Sequence, residues 1–181
     1  STTGTITGTP TDDLIYEDDE VATITISDVS GGGATESGSQ SVSITITENE
    51  SAPVITMSAS QTSAAENSGT EVTLTLTTSQ AADEDIVVSL SASGTISSSD
   101  YVSTSLSPST VTISAGSTTG TVSATALDDS IYEGNESSTV SISGVSGGGA
   151  TESGTQSITF TIVENESAPV ITLATSHTTV A

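Results

Sequence analysis

Asp128-Asp129-Ser130-Ile131-Tyr132-Glu133-Gly134-Asn135-Glu136 sets four carboxylates within nine residues, and residues 12–20 repeat the arrangement with six. Further acids stand at Glu66 and Asp100, and in close pairs at Glu48 with Glu50 and Glu164 with Glu166. Oxygen donors at this density suit ligation of a hard divalent cation. Flexible multi-carboxylate geometry favours Ca²⁺ over Mg²⁺. The rest of the composition sharpens this reading. The 181 residues carry 23 Asp plus Glu, one His and no Lys or Arg, a formal net charge of −23. If Glu66, Asp100, Asp128, Asp129, Glu133, Glu136, Glu164 and Glu166 gather at one pole, no basic side chain can offset their repulsion. A metal, protonation or full solvation remains. The plainer alternative is a set of solvated loop acids that keeps a β-rich rod soluble.

The same composition excludes several function classes. Nucleic acid and anionic membrane surfaces both require a cationic footprint, and the chain has none. Without Cys there are neither disulfides nor thiolate metal sites, and without Lys no intramolecular isopeptide crosslinks. No run approaches the eighteen or so apolar residues of a membrane span. No base is placed to activate any of the many hydroxyls, so an enzyme is not expected. His177 is matched by Gln61 in the repeat described below, which argues against a catalytic role. The glycine runs Gly31–Gly33 and Gly147–Gly149 lack the Lys and helix of a phosphate cradle and read as hairpin loops. Asn49, Asn135 and Asn165 each open an N-x-S sequon inside an acidic loop and read first as loop residues, with glycosylation secondary. Asp83-Glu84-Asp85 reads as a solvated turn, a partner contact being the sharper alternative.

Strands must position these groups. Val72-Thr73-Leu74-Thr75-Leu76, Val111-Thr112-Ile113 and Ile158-Thr159-Phe160-Thr161-Ile162 alternate apolar and hydroxyl residues, the signature of half-buried antiparallel strands. Helical periodicity is absent. A gapless repeat of 116 residues runs through the chain: 41 of the 65 overlapping positions are identical, and Gly31–Gly38 recurs unchanged as Gly147–Gly154. The expected organisation is the C-terminal part of one domain at 1–50, a complete domain at 51–166, and the first strand of another at 167–181. Strands are expected near 53–59, 70–78, 85–91, 109–114, 118–127, 137–144 and 155–163. Seven strands with frequent turns predict an all-β, Greek-key immunoglobulin-like β-sandwich in a tandem array. Its core is thin, with Tyr101, Tyr132 and Phe160 as the expected bulky members.

Ala65-Glu66-Asn67, Ser99-Asp100-Tyr101 and the 128–136 stretch together resemble the Calx-beta domain, whose DD-x-x-x-E-x-x-E signature the last stretch matches. The resemblance covers 51–166 and both flanks. It implies a calcium cluster at one pole, with Glu66, Asp100, Asp128, Asp129, Glu133, Glu136 and the Ile131 carbonyl as ligands. Calcium-binding members of the family close the domain with an acidic triplet, where this chain has Glu164-Asn165-Glu166. In the first fragment the counterparts are Asp12, Asp13, Ile15, Glu17, Glu20, Glu48 and Glu50. The function expected is a calcium-binding structural segment of a long extracellular fibre or adhesin, secreted or on a cell surface. Its expected partners are neighbouring repeats, with identical chains alongside in a filament. A calcium-dependent module for glycan or cell recognition is the alternative.

Overall fold

The computed structural model describes residues 2–103 and 110–176. Among the described residues twelve strands follow in chain order: β1 (Glu20–Thr25), β2 (Ser41–Ile46), β3 (Val54–Ala59), β4 (Ser63–Ala65), β5 (Glu71–Thr78), β6 (Ile86–Gly94), β7 (Tyr101–Ser103), β8 (Thr110–Ile113), β9 (Thr119–Ala126), β10 (Glu136–Ser146), β11 (Thr151–Glu152) and β12 (Ser157–Val163). Among the described residues the only helical element is a 3₁₀ turn at Glu66–Ser68.

Alternation in the sequence becomes alternation in burial. Val111 and Ile113 of β8 are buried while Thr110 and Thr112 face out. Leu74 and Leu76 of β5 are buried between half-buried threonines. These strands form two five-stranded sheets, ordered β4-β12-β10-β6-β8 and β11-β3-β5-β9-β7. Most strand pairings are antiparallel; among the described residues the strands pair in parallel at β11 on β3 and β12 on β4, and a single parallel bridge links Tyr16 to Ala82. Ile55, Leu76, Ile86, Val88 and Ile113 are almost wholly buried between the sheets. Each such side chain contributes about 1.5–3 kcal/mol of transfer free energy.

All seven expected strands are present. β4, β7 and β11 leave no mark in the sequence pattern, because two or three residues are too few for alternation to register. Glu136 opens β10 instead of lying in the preceding loop. The core differs from expectation at one aromatic. Tyr132 is 43% exposed, since the β9–β10 connection carries it beyond the sheet edges. Phe160 packs, partly buried, against the core cluster. Tyr101 is half-buried and lines an apolar gap of about 160 Å³ with Leu74, Leu90, Ala124, Val140 and Phe160. The gap lies between the sheets beneath the ends from which the acidic loops emerge.

β1 and β2 form a separate hairpin whose register, Glu20 opposite Ile46, matches that of Glu136 opposite Ile162 in β10 and β12. The hairpin leaves Val21, Ile24, Val42 and Ile44 exposed. Val140 and Ile142, the counterparts of Ile24 and Ile26, are buried in the sandwich. His177 lies outside the described residues.

Candidate metal centre

Every acid singled out in the complete domain sits at a strand end or in the loop that joins two strands. Glu66 opens the 3₁₀ turn after β4, and Asp100 immediately precedes β7. Asp128 and Asp129 follow β9, Glu133 lies in the β9–β10 loop, Glu136 opens β10, and Glu164 and Glu166 follow β12. Strand ends gather at the poles of a sandwich, and these eight gather at one.

They divide into two groups. Carboxylate oxygens of Glu66, Glu164 and Glu166 lie within 4.8 Å of one another, as do those of Asp100, Glu133 and Glu136. Glu66 is 5% exposed. Its carboxyl is pushed up by burial and by the charges of Glu164, Asp129 and Glu133, which ties the two groups together electrostatically. Glu133, though exposed, is raised by partial desolvation and by the charges of Asp100 and Asp129, and Glu136 by burial and Asp100. Burial opposes ionisation of Asp100 too, but donors from Ser97 and Ser99 outweigh it and hold that carboxyl below its ordinary range. The Ser97 N–H donates to Asp100 Oδ2 at 2.5 Å and the Ser99 hydroxyl to Oδ1 at 3.0 Å.

Asp128 and Asp129 stand beside the two groups as loop organisers. The Ile131 N–H donates to Asp129 Oδ1 at 2.6 Å, an Asx turn that shapes the segment holding the Ile131 carbonyl. Asn165 Nδ2 donates to Asp128 Oδ1 at 3.2 Å and to Glu166 Oε1 at 3.3 Å. The neutral residue in Glu164-Asn165-Glu166 therefore bridges two carboxylates with its own donors. Asn135, a loop residue first and a sequon second by sequence, accepts the Glu164 N–H on its Oδ1 at 3.1 Å.

Glu164 and Glu166 look alike in sequence and differ in surroundings. Glu164 accepts four backbone N–H groups: Glu133 at 2.6 Å and Gly134 at 2.7 Å on Oε2, Asn165 at 2.9 Å and Glu166 at 2.8 Å on Oε1. Donors from Glu166 and Glu133 lower its pKa to about 2. Glu166 is raised to about 7, first by its hydrogen bond to Glu164, then by burial and the neighbouring charges. Its Oε2 is buried and, like Glu136 Oε2, accepts no N–H or hydroxyl hydrogen when ionised, having only neighbouring carboxyls around it. One orphan oxygen thus sits in each group of three. A buried carboxylate oxygen of this kind is costly unless it is protonated or a cation meets it. With no Lys or Arg in the chain, the donor set fits a hard metal ion, for which Glu66, Glu164 and Glu166 would form one seat and Asp100, Glu133 and Glu136 the other.

The first fragment repeats the design. Asp12, Asp13, Ile15, Glu17, Glu20, Glu48 and Glu50 line one small polar hollow of about 40 Å³. Glu48 accepts the backbone N–H groups of Glu17, Asn49 and Glu50, as Glu164 does in the complete domain. Donors, the Glu50 N–H foremost, hold the Glu48 carboxyl down, while its hydrogen bond to Glu50 pushes the Glu50 carboxyl up.

The Calx-beta domain family model matches residues 48–166 of the chain. Fourteen chains of solved structures match. One is described as the apo form of the Calx CBD1 domain, with 15% identity and a TM-score of 0.45 over 63% of this chain and 98% of that one. Another is CBD12 from CALX1.2, with 14% identity and a TM-score of 0.48 over 61% of this chain and 44% of that one. Among curated proteins there is no match.

Proposed function

The chain belongs to the Calx-beta domain family, and we propose that it is a calcium-binding structural segment of a long tandem array outside the cell. One observation carries the calcium reading. Two buried carboxylate oxygens, Glu136 Oε2 and Glu166 Oε2, accept no N–H or hydroxyl hydrogen when ionised, each in its own group of three acids, in a chain without Lys or Arg. Ca²⁺ would supply the missing positive charge and accept the irregular set of oxygens. Residues 1–50 are then the end of one domain, 51–166 a complete one and 167–181 the start of another. The acidic loops of the first fragment stand at the junction with the complete domain. Calcium there ties loops together and stiffens the array, a mechanical role that needs no catalytic group. Extracellular modules bind calcium at about 10⁻⁴–10⁻³ M, in keeping with a secreted or cell-surface location.

Calorimetric titration of the chelator-stripped chain with CaCl₂ is the direct test. Saturable binding in that range is expected, with a rise in melting temperature and a longer, narrower particle by solution scattering. Absence of binding heat up to about ten times that range, with scattering unchanged by chelator, would overturn the reading.

A further inference from the structure

Tyr16 and Tyr132 hold the same position in the repeat, 116 residues apart, but their surroundings differ. Ile131, Tyr132 and Glu133 are all exposed, whereas Ile15, Tyr16 and Glu17 are all half-buried. Tyr16 is covered by the complete domain. Its N–H donates to the Ala81 carbonyl at 2.9 Å, and its carbonyl accepts the Asp83 N–H at 3.1 Å. These bonds make a parallel bridge to Ala82, which is 1% exposed and belongs to the core cluster. The Tyr16 ring lies against Gly149. A Cβ on Gly149 would come within 2.5 Å of Tyr16 Cε1 and 2.8 Å of Cζ and Oη, so only glycine admits the ring. The glycine loop of the first fragment, Gly31–Gly33, meets nothing within 4 Å at the same test.

We propose that Tyr16 is the plug of a head-to-tail joint between repeats, seated on Ala81–Asp83 and Gly149, and that Tyr132 is the same plug for a following copy of the repeat. Both halves recur in sequence. The plug lies in Asp-Asp-x-Ile-Tyr-Glu at 12–17 and 128–133, and the glycine half of the seat lies in the identical segments 31–38 and 147–154. The partner of each exposed plug is therefore another copy of this domain. The acidic loop aims the plug: Asp13 Oδ1 accepts the Ile15 N–H at 2.8 Å, and Glu48 accepts the Glu17 N–H. The joint stands on these contacts alone, and only its response to calcium rests on the function proposed above.

The chain has no cysteine, so spin labels at Thr45→Cys and Thr112→Cys, both exposed, would report the joint by pulsed electron resonance. In calcium a narrow distance distribution is expected. Tyr16→Ser should broaden it by about twofold, since domains without a fixed interface move freely. Tyr16→Phe should leave it narrow, and Gly149→Ala should reproduce the Tyr16→Ser width. Tyr132→Ser should have no effect in this chain, but should loosen the added junction when a further copy of 51–166 is joined at the native spacing. Calcium stoichiometry should be unchanged in each variant. An unchanged width in both Tyr16→Ser and Gly149→Ala would overturn the joint, as would an added junction indifferent to Tyr132→Ser. Failure of calcium to bind the parent chain would instead overturn the calcium reading, leaving the joint to be judged by the widths.

Discussion

Replacing Glu66 by Gln gives effects of opposite sign with and without calcium. Glu66 is 5% exposed and faces Glu164 and Glu166 with carboxylate oxygens within 4.8 Å. Gln keeps the shape and one oxygen but removes the charge. In chelator, each close like-charged contact costs about 1 kcal/mol even at the dielectric of water, and more where water is excluded. Removing Glu66's share should therefore raise the melting temperature by a few degrees. In calcium the same change removes a ligand from one of two seats. A cation at a hundredfold excess over its Kd stabilises by about 2.7 kcal/mol, or about 10 °C for a domain of this size. Most of that should be lost, so Glu66→Gln should melt below the parent in calcium and above it in chelator. Thermal melts followed by circular dichroism in both buffers, with calorimetric stoichiometry alongside, would measure this. The same sign in both buffers would refute the reasoning, since a merely structural Glu66 does not know whether calcium is present.

Other outcomes follow from neighbouring groups. Glu164→Gln should lower the melting temperature in both buffers, because its amide would turn a donor toward backbone N–H groups that now donate to the carboxylate. Without calcium, stability should peak between the two pole titrations. Glu166 is raised from 4.5 to about 7, so its contribution is fully present below pH 4.5 and lost as pH rises through 7. Glu164 is lowered from 4.5 to about 2, so its contribution is present above pH 4.5 and lost as pH falls through 2. Urea midpoints in chelator should therefore be highest near pH 4.5, and calcium affinity should weaken below pH 7 as the proton on Glu166 competes. Ala124→Val adds methyl groups beside the apolar gap of about 160 Å³ and should stabilise by about 1 kcal/mol in both buffers. Chemical denaturation would measure it.

Sequence alone determined the strands, because alternation of apolar and hydroxyl residues is local and a pleated strand converts it directly into two faces. It also determined that the acids cluster: each lies where alternation stops, strand ends meet at the poles, and the missing Lys and Arg are visible in the composition. The 116-residue repeat required only self-comparison. Division of the eight carboxylates into two groups of three was not legible, since spacing along the chain does not say which loops touch. Glu164 and Glu166 stand two residues apart, on either side of Asn165, with nothing in the sequence to tell their roles apart. Only the fold gives one of them four backbone donors and leaves the other a buried oxygen with none. Asn165 showed in sequence as a missing charge, and through space it is a donor between Asp128 and Glu166. Tyr16 is the clearest case. Its sequence neighbours do not say that its backbone bridges Ala82 and that its ring lies on Gly149. Those partners lie far along the chain, and no window of sequence around the tyrosine contains them.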